Sequence, residues 1–440
     1  MSTLKNYWLD IKESPRDAKL FLLSYFLFAI QWGAYFTVYT ILIQMMFGTV
    51  AVGSMLSLNT ILLGVLAIPM GMLTNKVGFK KMMIFASVIG AISFGITAYV
   101  PNMFTLILAT LLAGPPSSAW DILPPPILNS LTTEKQRTTI YSIMYAGNWG
   151  VIALVSKLSG NGIVFLQNHF GITEIAAYKG FLVITAILSG LSLIPILFMN
   201  DIKLKIEEKK EKKSLKESFK EVANREVVIF LIYSGLIGLG AGLFTPFMAN
   251  FLKDGLKLSP LAIGNITFLK YFVMVICMLL CPIIEKKIGT IHTIGITSLL
   301  SIPFMMAIAN AHVFGDKLLI PIITVSFLMR SGLMNLNMPL AYTQILEFVE
   351  PEKRATVTGL QSSFRCITQS LSSFIAGFVM QIPAFTFMGL YLDGYRIPYY
   401  IAAVLYVIAQ IILYKVYFKK YNWAKRDKEA TAETKSEAKA

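Results

Sequence analysis

Asp121, Lys157, Lys270, Arg330 and Arg365 stand inside stretches of the chain that are otherwise nearly free of charge. A charge in the middle of a bilayer costs at least about 2.5–3.5 kcal/mol, so each needs a wet face, a partner or a ligand. Four of the five are cations, and Asp121 can neutralise only one of them. The guanidinium groups of Arg330 and Arg365 suit bidentate hydrogen bonds to a carboxylate or phosphate. Lys270 adds a third positive charge to this candidate anion-binding set. The alternative gives each arginine a structural bond, to backbone carbonyls or to Asp121. Lys157 lies nearer a surface, where its ammonium can extend to headgroups.

Asp121 is the carboxylate of the set and therefore the candidate proton carrier, with a permanent counter-ion role as the alternative. It follows Gly114-Pro115-Pro116 and precedes Pro124-Pro125-Pro126. Each helical proline frees a carbonyl one turn back, which makes either a kink or a binding surface. Amide and aromatic side chains complete the set. Gln31 and Tyr35 share a helical face with Trp32 and Tyr39, and Asn148 lies beside Tyr145 and Trp149. Amphipathic rings serve a wet pocket or helix packing equally well.

These side chains need scaffolding that can hold charge inside apolar surroundings. The chain has 440 residues, 55% hydrophobic and 14% charged, with mean hydropathy +0.65. Twelve apolar windows of about 20 residues lie near 19–44, 50–73, 81–99, 103–128, 139–166, 180–199, 227–251, 260–284, 291–311, 318–346, 355–381 and 397–418. This predicts an all-α membrane protein with two six-helix bundles, 1–199 and 227–421. A cytoplasmic linker, 200–226, joins them, and a disordered tail follows from 422. Leu215, Phe219 and Val222 fall at helical spacing in the linker and predict a short surface helix.

Of the 39 Lys and Arg residues, 30 fall in the termini and in loops on one side, and five on the other. Such a bias predicts both termini in the cytoplasm and a multi-pass protein of the plasma (inner) membrane. The +15 net charge is then a topology signal rather than a nucleic-acid surface. Cys277, Cys281 and Cys366 all lie in apolar runs, so no disulfide framework is expected. A soft-metal role for the Cys277–Cys281 pair is the alternative to ordinary burial. His169, His292 and His312 sit at loop edges, and no phosphate-binding GxxxxGK[ST] loop occurs. No enzyme activity, cofactor or metal is expected.

The two halves overlay. Setting Arg137 on Arg354 also places Asn148 on Arg365, Ser156 on Ser373 and Gly160 on Gly377, while Gly78 falls on Gly289. The segment Gly71, Asn75, Gly78, Lys80 and Lys81 between the second and third windows resembles the loop signature of the major facilitator superfamily. The resemblance runs across all twelve windows. It departs from the signature at Asn75, where the family usually has an acid, and the antiporter, sugar-porter and peptide-porter signatures are missing. The resemblance implies a gating role for this loop and a central cavity bordered by the windows that hold the five charges. It further implies secondary active transport of a small solute by alternating access. The unmatched cations make an organic or phosphorylated anion the expected solute, and Asp121 makes the proton the expected coupling ion. Multidrug efflux and solute sensing are the alternatives. A monomer in the lipid bilayer, without a nucleic-acid partner, is the expected assembly.

Overall fold

The computed structural model describes residues 12–200, 219, 222–337, 340–341, 344–350, 353–387 and 389–421. The expected surface helix in the linker and the tail after residue 421 fall largely or wholly outside these residues.

Long helices dominate. Arg16–Phe47 (α1), Thr49–Val77 (α2), Phe79–Ile96 (α3), Met103–Leu131 (α4), Glu134–Phe170 (α5) and Glu174–Leu197 (α6) make up the first six. Arg225–Gly255 (α7), Pro260–Ile288 (α8), Thr290–Ala309 (α9), Gly315–Leu336 (α10), Arg354–Val379 (α11) and Ile397–Tyr421 (α12) follow. Eleven of them are long and apolar enough to cross a membrane. The other is α11, at the expected eleventh window. It spans 26 residues, but Gln361, Arg365, Gln369 and several serines lower its hydropathy. The helix is amphipathic, with Ile367, Leu371, Phe374 and Phe378 exposed on one face while Gln361 is buried on another.

The breaks have local causes. Gly48, Gly78 and Gly289 take φ of 85°, 89° and 84°, a left-handed region that glycine enters without strain. Gly78 ends α2 and Gly289 ends α8, each with its N–H on the carbonyl four residues back, at 2.9 and 2.7 Å. The two halves of the sequence thus reuse one turn, as their overlay predicts. In α4 the pair Pro115 and Pro116 is absorbed within the helix, which stops at Ile122 and restarts at Pro124. Tyr141 donates to the carbonyl of Pro125 at 2.6 Å, which satisfies one acceptor at the restart. A hairpin not expected from the sequence, β1 Phe385–Phe387 paired antiparallel with β2 Leu390–Leu392, precedes α12. Gly389 supplies the positive φ its two-residue turn needs.

The residues group into two compact units, Met1–Lys210 with Pro246–Phe268, and Glu211–Thr245 with Leu269–Ala440. The first is cored by Phe21, Phe28, Met83, Trp120 and Ile127. Phe28 stacks on Trp120 at 4.6 Å. The second is cored by Phe230, Ile294, Leu413 and Tyr417. Helices approach closely where side chains vanish, as membrane packing favours. A Cβ on Gly242 of α7 would collide with Ser372 Oγ, and one on Gly264 of α8 would meet the Ser156 carbonyl at 2.7 Å.

Candidate functional site

Arg330 lies six residues before the end of α10, with 5% of its surface exposed. Its guanidinium stands 4.4 Å from the Phe244 ring centroid. One terminal nitrogen reaches Thr245 Oγ1 and Tyr406 Oη, both at the long distance of 3.4 Å. Its Nε makes no hydrogen bond among the described residues. Pro246 has no N–H for the Gly242 carbonyl, which accepts from Ser373 Oγ at 3.0 Å instead, and α7 turns 3₁₀ over Thr245–Phe247. Phe244 packs in turn on Tyr399 at 4.6 Å. Arg330 is therefore held by ring faces and hydroxyls, which leave its charge for another acceptor.

Lys270 of α8 is buried, its ammonium 3.9 Å from the Tyr271 ring centroid and close enough to Arg330 for the two charges to interact. Arg365 is half-buried on α11, its Cγ against Gly238 of α7. Arg330, Lys270 and Arg365 thus occupy one unit, with the first two close together, while Lys157 lies in the other, 5.2 Å from the Phe268 ring centroid.

The candidates in the first unit form a separate group. Gln31 and Tyr35 line a small cavity with Trp32, Tyr39, Asn59 and Thr110. Gln31 is buried and its Oε1 has no hydrogen-bond partner among the described residues. Tyr35 stacks on Tyr39 at 5.0 Å and begins a π-helical turn, Tyr35–Tyr39. Beside it Thr37 Oγ1 bonds back to the Gly33 carbonyl at 2.7 Å, a local bond that competes with regular helix. Asn148 is half-buried on α5 and does not line that cavity. Asp121 is exposed on α4, within electrostatic reach of Tyr25.

Among the loop residues, Gly78 is the turn described above. Gly71 has ordinary contact only, with Ile122 Cδ1 3.8 Å from where its Cβ would be. Lys80 donates to the carbonyls of Leu197 and Met199, at 2.8 and 2.7 Å, and so caps the end of α6. Lys81 is exposed, and the side chain of Asn75 lies outside the described set.

Sequence reasoning missed a polar clasp in the first unit. Asn250 Nδ2 donates to the Thr40 carbonyl at 2.9 Å and to Gln44 Oε1. Gln44 donates to Asp254 at 2.5 Å, and Lys253 pairs with Glu174 at the start of α6. Asn250 and Asp254 are one helical turn apart at the polar end of α7, which was the available signal. A second cluster joins the hairpin to α9. Arg396 donates to the Ala309 carbonyl at 2.9 Å and pairs with Asp393, while Tyr391 lies 5.4 Å from His312.

The sequence profile of the Major Facilitator Superfamily matches residues 21–373 and, in a second match, 230–439. No curated protein sequence matches the chain. Its fold is similar to that of the nucleoside transporter NupG, with TM-score 0.73 and 16% identity over 92% of this chain and 100% of that one. A D-xylose-proton symporter gives TM-score 0.70 at 13% identity, covering 93% and 98%. A bacterial homologue of the human lysosomal transporter Spinster, inward-facing and occupied, gives 0.67 at 16%, covering 90% and 95%.

Proposed function

The chain belongs to the major facilitator superfamily of membrane transporters, and we propose that it carries a small organic anion by alternating access. The observation that carries this reading is Arg330, a buried guanidinium surrounded by Phe244, Thr245 and Tyr406. A guanidinium in such a site gains most from an acceptor that fills its planar fork. Lys270 beside it favours an anion electrostatically, and Arg365 on α11 is the third cation of the proposed set. Gln31, Tyr35 and Asn148 are the proposed neutral contacts.

Energy comes, in this reading, from the proton gradient through Asp121. Its exposure on an otherwise apolar helix supports a water-facing carboxylate, since lipid would not tolerate it. Both termini lie on the side that holds most of the Lys and Arg residues. Accumulation of labelled organic anions in proteoliposomes tests the proposal. Uptake driven by an imposed pH gradient and lost in Arg330→Gln is the expected result. Uptake of neutral or cationic solutes only would refute it.

A further inference from the structure

The first unit carries a groove that plays no part in the site above. It is a cavity of about 750 Å³ over α3, α4 and α6, floored by the small residues Ala91, Gly95 and Ala109. Leu108, Leu112 and Ile187 form its exposed walls. The floor is low because α3 and α6 nearly touch there. A Cβ on Gly190 would lie 3.2 Å from that of Ala91, and one on Gly95 would lie 3.4 Å from that of Ala186. Hydrocarbon surrounds such a surface in a membrane, and water does not fill it.

One end of the groove is different. Tyr99 lines it there, and the Lys179 ammonium stands 5.9 Å from the Tyr99 ring centroid. Thr105, also in the lining, lies in the first turn of α4, whose N-terminus adds partial positive charge to the same rim. Tyrosine and lysine together mark the depth of the headgroups. The geometry points to a binding site for an anionic phospholipid: one acyl chain lies along the groove and the headgroup phosphate meets Lys179. Charge complementarity at the rim selects the anionic headgroup, and the apolar floor holds the chain.

The test is photocrosslinking of the full-length protein in nanodiscs with phosphatidylglycerol or phosphatidylcholine carrying a mid-chain diazirine, with adducts mapped by mass spectrometry. Adducts on residues 91–112 and 183–190 are expected, with phosphatidylglycerol favoured over phosphatidylcholine by about fivefold, the effect of one surface cation. Lys179→Ala should abolish that preference and Lys179→Arg should keep it. Ile187→Trp fills the groove from an exposed position and should reduce adducts of both lipids without lowering the melting temperature. Equal labelling by the two lipids overturns the proposal, as does a preference that survives Lys179→Ala. So does a dimer, detected by native mass spectrometry, that covers this face and excludes lipid.

Discussion

Asn250 of α7 donates its side-chain amide to the Thr40 carbonyl of α1 at 2.9 Å, both groups being buried. The bond joins a helix from the second half of the sequence to the first helix. Gln44–Asp254 and Lys253–Glu174 lie on the same stretch of α7, where the helix widens to a π turn over Phe251–Gly255. Such π turns are frequent at functional sites.

Removing the amide should therefore loosen that end. Asn250→Ala loses a buried hydrogen bond worth about 1 kcal/mol and the amide's second bond, to Gln44 Oε1. A lower melting temperature is expected, with faster alkylation of a cysteine placed at Gln44. Unchanged alkylation would show that the clasp does not restrain this end.

Glycine contacts separate packing from propensity. Gly242→Val places side-chain atoms where Ser372 and the Gln369 carbonyl already sit, and should cost about 1–3 kcal/mol or prevent folding. Gly150→Ala meets no atom within 4 Å and should be neutral or stabilising, since alanine is the better helix former. Thermal melts of the two variants check both outcomes.

Lys80 and Lys81 adjoin in sequence but differ in role. Lys80→Met frees two carbonyls at the end of α6 and should lose roughly 0.3–1 kcal/mol, while Lys81→Met should melt like the parent protein. Equal effects would return both lysines to a shared loop function.

His312 gives a pH signature. Partial desolvation lowers the pKa of this largely exposed ring, the Arg396 charge lowers it further, and Asp393 opposes them. The unfolded chain then binds the proton more tightly than the folded one. Stability should be highest above the ordinary histidine pKa of about 6.5 and fall as pH drops through that value toward the folded pKa. His312→Gln should flatten the melting profile between about pH 5 and 7.5.

The sequence makes the helices legible because lipid requires long apolar runs, and the glycine turns legible because Gly78 and Gly289 recur at matched positions. Buried cations are legible for the same reason: Arg330 and Lys270 stand out against apolar neighbours. Contacts that depend on which helices meet are not. Nothing local says that Lys80 reaches the end of α6, that Thr245 meets Arg330, or that Asn250 finds Thr40. The hairpin at Phe385–Leu392 escapes notice because three-residue strands carry too little periodicity to separate from a loop.

In the proposed function, Arg330 binds the anionic group of the solute. The most direct measurement is the melting shift of purified protein against a panel of organic anions and lipophilic cations. A ligand held only by the folded protein stabilises it by about 2.7 kcal/mol at one hundred times its Kd. Stabilisation by one or more anions, lost in Arg330→Gln and weakened in Arg330→Lys, is expected. Stabilisation by lipophilic cations, or by anions equally in Arg330→Gln, would contradict it.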